Sequence, residues 1–383
     1  MRGVSLPRTG MLGRFADRLA ELRGRLAANP KFHAAAVRNP LTRPIARRKA
    51  RKLFDLVAGF VYSQVLFAGV KVGLFRALAT GPLDLSEVAS ACDLPEAEAR
   101  RLVDAAASLD LVAWRADGRV GLADLGAALV ANPGVIAMIE HHDLLYADLA
   151  DPVGLMRGER RRGDTALGAY WPYATAAEPG ALDDAAVAAY SRLMGASQTL
   201  IAGEVLDAYS VTRHRRLLDI GGGDGTFCVA AAAHAPNLHV GLFDLPAVAE
   251  RARARFAHEG IADRATATGG DFDRDPLPAG ADLVSLVRVL YDHDDDKALR
   301  ILAAARRAIA SGGTLLIAEP MARAPGSETV GDAYFGFYLL AMGSGRARAP
   351  EELGRMALVA GFAAPRIVST RMPLQTGLVV ATA

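Results

Sequence analysis

A glycine-rich run at residues 218–225 carries the strongest chemical signal in the sequence. It follows a short apolar stretch, opens a helix-forming segment and contains four glycines among its eight residues. Glycines in such a turn let the backbone bend sharply and let a ligand approach where a side chain would clash. Dinucleotide-binding enzymes use a similar turn to hold a pyrophosphate. Asp219, which precedes the first glycine, would repel that group, so the run favours a ligand that carries an ammonium group.

Two further acids follow later apolar stretches. Asp244 ends the next predicted strand, where it could accept hydrogen bonds from both ribose hydroxyls of a nucleoside or serve as a helix N-cap. Asp271 follows a glycine pair and could accept from an adenine amino group, while Phe272 could pack on the ring face. Acids at three successive strand ends together favour one ligand with a ribose, an adenine and an ammonium group. The sequence therefore predicts S-adenosyl-L-methionine as the cofactor.

The elements that would position these acids alternate along the second half of the chain. Apolar strands separated by helical stretches predict a doubly wound α/β fold with a parallel sheet, and two final runs at 366–370 and 378–381 suggest an antiparallel pair at its edge. The predicted strands are Leu217–Ile220, Val240–Phe243, Leu283–Leu290 and Thr314–Ala318, and the predicted helices cover about 225–234, 246–258 and 294–310.

The segment before this sheet reads as a helical winged-helix domain at residues 51–130. Two short helices are expected within 84–111, followed by a hairpin that turns at Asp117 and Gly118. Such a wing raises DNA binding, but the second helix begins with acidic residues, whereas a recognition helix should be basic. Dimerisation or packing over the substrate is therefore favoured, and no nucleic acid is expected as a partner.

Residues 131–210 are expected to be helical linkers with some side chains that line a substrate pocket, ahead of a catalytic domain at 211–383. Histidines and aromatic residues are frequent there, and core packing is the commoner role for such residues. They are His141, His142, Tyr146, Tyr170, Trp171 and Tyr173.

The first 50 residues form a basic extension. Residues 1–52 contain 14 lysines and arginines but only two acids, whereas the rest of the chain has 30 basic and 40 acidic residues. Phe15, Leu19, Leu22 and Leu26 recur at helical spacing with arginines around them. The helix could pack on a protein partner or lie on an anionic membrane, where each basic residue contributes about 1 kcal/mol.

The longest apolar stretch, Leu53–Phe75, is interrupted by Asp55, Gln64 and Lys71. A buried helix pair at a subunit interface is favoured over a membrane span. The two cysteines are far apart in sequence, which predicts neither a disulfide framework nor a metal site. Together with the absence of a signal-peptide pattern, they favour a cytoplasmic protein. The basic extension could hold it at the periphery of the inner membrane.

Beyond these motifs, the sequence resembles the plant-type O-methyltransferases over about residues 53–383. That family combines a dimerising winged-helix domain with a Rossmann-like class I methyltransferase domain, so the resemblance implies a homodimeric S-adenosylmethionine-dependent O-methyltransferase. It also implies that Arg288 lies beside a basic cofactor contact. The matching runs are Asp219–Gly225, Phe243–Pro246, Gly270–Phe272, Arg288–His293, Ala318–Pro320 and Gly343–Arg348. The residues implied in cofactor binding are Asp219, Gly221, Gly223, Asp244, Leu245, Asp271, Phe272 and Arg288.

At the reacting end the sequence departs from the family. Most members have His-Asp-Trp with the histidine as general base, but here Tyr291 occupies that position and His293 follows two residues later. Glu319 matches a supporting acid, and a second acid is replaced by Ala347. A tyrosine with a pKa of about 10 is a poor base at neutral pH. General bases contribute about 10²–10⁴-fold and alignment about 7–11 kcal/mol, so positioning is the larger effect.

An aliphatic alcohol suits this incomplete base machinery, because it loses its proton late in the transfer. Tyr291 would orient the hydroxyl, and Glu319 or His293 would take the proton. Met194 matches a family position that contacts substrate, and Tyr338 and Met342 belong to an aromatic stretch that suits a long polyene or serves as core or dimer interface. Within the family, the sequence is similar to carotenoid O-methyltransferases of purple phototrophs. This similarity implies a tertiary hydroxyl of an acyclic hydroxycarotenoid as the acceptor.

Other functions remain open at this point. The acceptor could be a ring carbon of a bacteriochlorophyll-type tetrapyrrole or a polyketide hydroxyl, although the loss of the histidine base disfavours a phenol. Some relatives in antibiotic pathways keep the cofactor site without transferring methyl. A winged-helix regulator that senses the cofactor is a further alternative, and the acidic second helix of the wing argues against it.

Overall fold

The computed structural model describes residues 11–160, 163–171, 184–374 and 376–383. Tyr173, one of the predicted pocket aromatics, lies outside these residues. The chain divides into two compact units, residues 1–131 and 132–383.

The first unit is mainly helical and ends in a small β-hairpin. A 3₁₀ turn at Leu78–Thr80 follows the fourth helix. The helices are α1 Met11–Ala27, α2 Pro30–Arg38, α3 Arg43–Lys71, α4 Leu74–Ala77, α5 Leu85–Ala91, α6 Glu96–Ser108 and α7 Asp124–Val130, with strands β1 Val112–Trp114 and β2 Val120–Leu122 between the last two.

Helix α3 corrects the expected helix pair in one respect, since a single helix covers most of the stretch, while burial of that stretch at a subunit interface stays a prediction. It is one continuous helix of 29 residues, and its apolar side chains from Leu53 to Val61 are exposed in the single chain. Only near its end do side chains such as Val70 become buried. By length and composition it is the one helix of the described residues that could cross a membrane, a test that core helices of soluble proteins also pass.

The expected wing is confirmed. Strands β1 and β2 pair antiparallel with Trp114 opposite Val120, and Gly118 has a φ of 84° in the turn between them. Leu83 extends the pairing by bridging to Val120. The helix before it, α5, starts with a capping box in which Asp84 and Glu87 satisfy each other's backbone N–H groups.

The second unit contains a seven-stranded sheet with helices on both faces, so the predicted α/β fold is confirmed. The strand order is β5-β4-β3-β6-β7-β9-β8, parallel from β5 to β7 and antiparallel at β9 and β8. The strands are β3 Arg216–Ile220, β4 His239–Asp244, β5 Ala265–Gly269, β6 Ala281–Val287, β7 Ile309–Glu319, β8 Ala363–Val368 and β9 Gly377–Thr382.

The helices of this unit pack against the sheet or lie over its carboxyl end. Alternating residues of β3 enter different layers, because Leu217 belongs to one core cluster and Leu218 and Ile220 to the other. The helices are α8 Pro133–Asp148, α9 Pro152–Met156, α10 Ala166–Tyr170, α11 Asp184–Ala208, α12 Thr226–His234, α13 Pro246–His258, α14 Asp295–Ala308, α15 Phe335–Met342 and α16 Pro350–Val359.

Two details of the sheet differ from expectation. The run expected to continue as a strand to Leu290 stops at Val287, because residues 290–292 form a 3₁₀ turn. The segment before Gly270 is a full strand, β5. A third apolar cluster includes Leu145 of α8, Tyr338 of α15 and Trp171.

Candidate functional site

The main cavity lies where the carboxyl ends of the parallel strands meet. Strand β3 pairs with β4 on one side and with β6 on the other, so the strand order reverses at this point, where ligands of open α/β sheets bind. The cavity is lined by Met194, Gly195, Gln198, Gly221, Gly222, Gly223, Asp224, Asp244, Leu245, Val248, Asp271, Phe272, Val287, Arg288, Val289, Asp292, His293 and Lys297.

The glycine-rich turn forms one wall of this cavity and cannot carry larger residues. Gly221 has a φ of 68°, and a Cβ atom placed on it would lie 2.8 Å from the side chain of Val289. Gly223 has a φ of 61° and leaves open space beside it. The backbone is therefore exposed to a ligand along this wall, as the sequence predicted.

Asp244 lies at the tip of β4 and points into the cavity. Its Oδ2 accepts a hydrogen bond from the Gly223 N–H at 2.8 Å, and its Oδ1 accepts from the Leu245 N–H at 2.7 Å. Burial raises the pKa of Asp244 to about 6, and these two N–H groups act in the opposite direction. The carboxylate is fixed in orientation and can still accept from ligand hydroxyls, because each oxygen has a second lone pair.

Asp271 and Phe272 form the far end of the cavity together with His293. Asp271 is held by the Asp273 N–H at 2.9 Å, and the Phe272 ring meets the His293 ring edge-on at 5.5 Å between centroids. The Lys297 ammonium lies 5.3 Å from the Phe272 centroid. An acceptor beside an aromatic ring suits an adenine, with the amino group on Asp271 and the ring against Phe272.

The position of His293 corrects its expected role as a base. It lines the cavity beside Phe272 and does not line the second cavity described below. Burial, followed by the nearby Lys297, lowers the pKa of His293 to about 3, so the ring is neutral at physiological pH. His293 therefore acts as an aromatic wall at this end.

Asp219 also differs from its expected role of binding an ammonium group. It is completely buried beneath the glycine turn and does not line the cavity. Its Oδ1 accepts a hydrogen bond from the Ser285 hydroxyl at 2.6 Å, and burial raises its pKa to about 7. Asp219 lies one residue before the end of β3, and the glycine turn covers its carboxyl, since a Cβ atom on Gly222 would lie 2.6 Å from Asp219 Oδ2.

A second, narrower cavity adjoins the first. The two share Met194, Arg288 and Asp292, and most of the other lining side chains are apolar or aromatic. The full lining is Met138, Trp171, Met194, Arg288, Tyr291, Asp292, Phe335, Tyr338 and Met342. All three predicted substrate residues, Met194, Tyr338 and Met342, are therefore brought together here.

Tyr338 is anchored at the second cavity by two polar neighbours. The Trp171 indole N–H donates to the Tyr338 hydroxyl at 3.0 Å, and His141 Nε2 lies 2.9 Å from the same oxygen. Burial lowers the pKa of His141 to about 4, so this histidine is neutral. The aromatic wall is thus fixed by hydrogen bonds rather than by packing alone.

Arg288 separates the two cavities. Its Nη1 donates to the Ser197 hydroxyl at 2.7 Å, and its Nη2 lies 3.5 Å from the Met194 sulfur. The backbone of Arg288 has a φ of 60°, an unusual conformation for a residue other than glycine. Such local strain is found where structure around it enforces a functional geometry. The guanidinium thus adds a positive charge to the boundary of both cavities.

Tyr291 lines the second cavity, whereas Glu319 lines neither cavity. Burial, followed by the charge of Asp292, raises the pKa of Tyr291, which excludes it as a base near neutral pH. Glu319 Oε2 instead accepts from the Tyr291 backbone N–H at 3.1 Å, and its Oε1 has no partner among the described residues. The expectation that Glu319 takes the substrate proton is therefore wrong in geometry, because the carboxyl faces backbone inside the protein.

Four polar residues of the site were missed at the sequence level. Asp292 lines both cavities, and its place directly after Tyr291 in the motif could have identified it. Asp224, inside the glycine run, pairs with Arg255 at 2.5 Å. Gln198 and Lys297 come from α11 and α14 and carry no motif. Trp171, treated as a core residue, proves to line the second cavity.

This combination of fold and site agrees with two family matches. The chain matches the O-methyltransferase domain over residues 146–363 and the O-methyltransferase dimerisation domain over residues 54–132. These matches include the β-hairpin of the first unit and the five parallel strands, β3 to β7, that carry the cavity.

Individual relatives extend the agreement to the whole chain. The demethylspheroidene O-methyltransferase of Cereibacter sphaeroides is 40% identical over 100% of this chain and 98% of its own length. That of Rhodobacter capsulatus is 39% identical over 93% and 88%. Among solved structures, CalO1, a methyltransferase of calicheamicin biosynthesis in its S-adenosylhomocysteine-bound form, is 26% identical with a TM-score of 0.73, covering 87% of this chain and 98% of that one.

The chain therefore belongs to the plant-type O-methyltransferase family. It is an S-adenosylmethionine-dependent O-methyltransferase, and its dimerisation domain indicates a homodimer. The first cavity fits this cofactor on its own terms. The glycine turn, which a Cβ would obstruct, matches the sulfonium amino acid. The fixed carboxylate of Asp244 matches the ribose, and the acid beside an aromatic ring matches the adenine.

Proposed function

We propose that this enzyme transfers a methyl group to the tertiary hydroxyl of an acyclic hydroxycarotenoid of the hydroxyneurosporene or demethylspheroidene type. The observation that carries the proposal is the second cavity, whose methionine and aromatic lining adjoins the cofactor cavity. Two relatives with 40% and 39% identity are named for demethylspheroidene. An apolar polyene suits this lining, because such sites bind ligands mainly through apolar contact and orient them with few polar groups.

The cofactor would be held by the residues of the first cavity. We place its ribose on Asp244, its adenine between Asp271 and Phe272, and its amino-acid end against the Gly221 backbone and Arg288. When bound, it supplies an electrophilic methyl group on a sulfonium sulfur. Because the two cavities meet at Met194, Arg288 and Asp292, we expect the methyl group to face the acceptor there.

At this junction Tyr291 orients the acceptor hydroxyl. Its raised pKa keeps the phenol protonated, so it donates a hydrogen bond to the acceptor oxygen and leaves a lone pair free for attack. Alignment of two reactants as a whole is worth about 7–11 kcal/mol in favourable cases, and this hydrogen bond supplies a small part of it. The absence of the family's histidine is thus compatible with an aliphatic alcohol, which needs no proton removal before it attacks.

Asp292 is the group best placed to receive the proton. Among the described residues it is the only carboxyl that lines both cavities. With the cofactor bound, attack of the acceptor oxygen on the methyl carbon would break the carbon–sulfur bond and leave its electron pair on sulfur. The Asp292 carboxylate would take the proton released by the alkylated oxygen, so that the products would be the methyl ether and S-adenosylhomocysteine.

The test is methyl transfer by the purified chain from cofactor labelled in its methyl group. The acceptors are a hydroxycarotenoid extract, a catechol-type phenol and a tetrapyrrole with a free ring position. We expect label in the polyene fraction. Label in the phenol or the tetrapyrrole with none in the polyene would overturn the proposed acceptor.

We further propose that the basic N-terminal extension holds the enzyme on an anionic membrane, where its acceptor dissolves. The apolar side chains Phe15, Leu19, Leu22 and Leu26 of α1 are exposed and recur on one helix face. Arginines accompany this stripe, a composition that favours helices lying in the membrane interface. Deletion of residues 1–45 should weaken sedimentation with phosphatidylglycerol vesicles, with phosphatidylcholine vesicles as the control. Equal sedimentation of the full and truncated chains with anionic vesicles would contradict this role.

A further inference from the structure

The backbone turn at residues 290–293 carries three side chains of the site. Tyr291 lines the second cavity, which we call the acceptor cavity, Asp292 lines both cavities, and His293 lines the first cavity beside Phe272. A small rotation of this turn would therefore displace groups at both substrates together. What fixes the turn also fixes the geometry of methyl transfer.

Arg348 holds this turn by hydrogen bonds to its backbone carbonyls. The side chain is completely buried, and its Nη1 donates to the Leu290 carbonyl while its Nη2 donates to the His293 carbonyl, both at 2.7 Å. The two bonds therefore join the first and the last residue of the turn. A planar guanidinium can hold two acceptors at a fixed separation, which a lysine ammonium cannot do with the same geometry.

The loop that contains Arg348 adds further contacts to the same turn. The Ser344 hydroxyl donates to the Asp292 carbonyl at 2.8 Å. Gly345 has a φ of 78°, and a Cβ atom on it would collide with the backbone of Tyr291 and Asp292. From the other side, Glu319 accepts from the Tyr291 N–H. The turn is therefore held between β7 and the loop at 343–348.

The charge of Arg348 is balanced outside the site. Its Nε donates to Asp295 Oδ1 at 2.9 Å, and the half-exposed Asp295 also binds Arg346 through two bonds of 3.0 and 2.8 Å. The hydrogen-bond partners of Arg346 among the described residues are Asp295 and Glu352, both outside the turn. Arg346 and Arg348 thus share the Asp295 carboxylate, and of the two it is Arg348 that donates hydrogen bonds to the backbone of the turn.

We propose that Arg348 is a positioning residue that sets the placement of Tyr291 and Asp292 for methyl transfer. With Ala347 in place of the family's second acid, the loop supplies no carboxylate to the reaction, and its contribution is the fixed position of the turn. This inference rests on methyl transfer as such and not on the carotenoid acceptor.

The test compares Arg348→Lys with Arg346→Lys as a matched control in the full-length enzyme. Displacement of reacting groups by about 1 Å costs about 10²-fold, so we expect Arg348→Lys to lower kcat by about 10- to 100-fold. Its KM for S-adenosylmethionine should rise by a smaller factor than kcat falls, because Asp292 and His293 of the cofactor cavity lie on the turn, whereas the glycine turn and Asp244 are untouched. Arg346→Lys should retain wild-type kcat.

A second variant and a second measurement keep the result decisive. Ser344→Ala removes one bond to the turn and should lower kcat by about 3- to 10-fold, the value of one hydrogen bond. Hydrogen exchange of the peptide spanning 286–296 should accelerate in Arg348→Lys but not in Arg346→Lys, and it needs no acceptor. If Arg348→Lys folds with wild-type kcat, or if both lysine variants lose activity and protection equally, the proposal is wrong. Failure of the wild-type enzyme to methylate a hydroxycarotenoid would count only against the proposed acceptor.

Discussion

At the residue scale, the reacting end depends on hydrogen bonds that position an alcohol more than on a strong base. Tyr291 and Asp292 are adjacent in sequence but face different surroundings, since Tyr291 lines only the acceptor cavity and Asp292 lines both. Their expected roles therefore differ, one as a donor that orients the hydroxyl and the other as the proton acceptor.

These roles predict different losses. Tyr291→Phe removes one hydrogen bond and should lower kcat by about 10-fold, whereas Asp292→Asn removes the proton acceptor and should lower kcat by about 10²–10⁴-fold. Initial rates under saturating cofactor would measure both. Equal and small effects of the two substitutions would contradict the division of roles, and unchanged turnover in Tyr291→Phe would remove this residue from the mechanism.

A pH prediction follows from the buried carboxyl of Glu319. Burial raises its pKa to about 8 from an ordinary value of 4.5, so the folded state binds its proton more tightly than the unfolded state does. Its contribution to stability is complete below about pH 4.5 and is lost as the pH rises toward 8. Glu319→Gln should therefore flatten the fall in Tm between pH 5 and pH 8. A parallel fall in the variant and the wild-type enzyme would contradict this assignment.

At the element scale, the alternation of strands and helices was sufficient to predict the sheet and the end of the sheet where the cofactor binds. It was not sufficient to predict how far each acid lies from the carboxyl end of the sheet. Asp244 is the last residue of β4 and reaches the cavity, whereas Asp219 is one residue short of the end of β3 and is buried with Ser285. The two acids share one face of the sheet, because Asp219 pairs with Leu242, which precedes Asp244 by two positions. They differ in depth, and the exact strand end that sets this depth is not encoded in a short apolar run.

The conformation of the turn at residues 290–293, after β6, could not be predicted from its own sequence either. Its conformation is held by Ser344 and Arg348, more than 50 positions away, so local propensity does not determine it. The same long-range contacts explain why the predicted strand ended early and why His293 faces the adenine end.

The glycine turn after β3 gives a prediction about an element rather than a single contact. In Gly221→Ala, a Cβ would strain a backbone with a φ of 68° and press on Val289, so we expect at least about a 10-fold loss of cofactor affinity by calorimetry. Gly260→Ala is the control, because Gly260 has a φ of 67° with open space around it. It should lose stability by about 1 kcal/mol and bind cofactor normally. Equal affinities of the two variants would contradict the role of the turn.

At the scale of the whole molecule, the exposed apolar face of α3 is the main feature that a single chain leaves unexplained. Leu53, Phe54, Leu56, Val57, Phe60 and Val61 are all exposed, and residues from 54 onward belong to the dimerisation domain. Contiguous apolar surface of this kind commonly marks an interface.

A charge on this face should therefore shift the oligomeric state. Phe60, which is 67% exposed, is replaced by aspartate, and Val359→Asp, at a site in the second unit that is 76% exposed, is the control. We expect sedimentation velocity to show a monomer for Phe60→Asp and a dimer for Val359→Asp. A stable Phe60→Asp dimer would place the interface elsewhere.

Three of the nine side chains around the acceptor cavity are methionines: Met138, Met194 and Met342. Unbranched thioethers adopt many shapes at little cost and fill irregular gaps, unlike the aromatic side chains of this cavity that hydrogen bonds hold in place. The enzyme should thus accept polyenes that differ in saturation or bend along the chain while remaining strict about where the hydroxyl sits. The same methionines make the enzyme sensitive to oxidation, since oxidising any of these sulfurs to a sulfoxide would introduce a polar group into this apolar cavity.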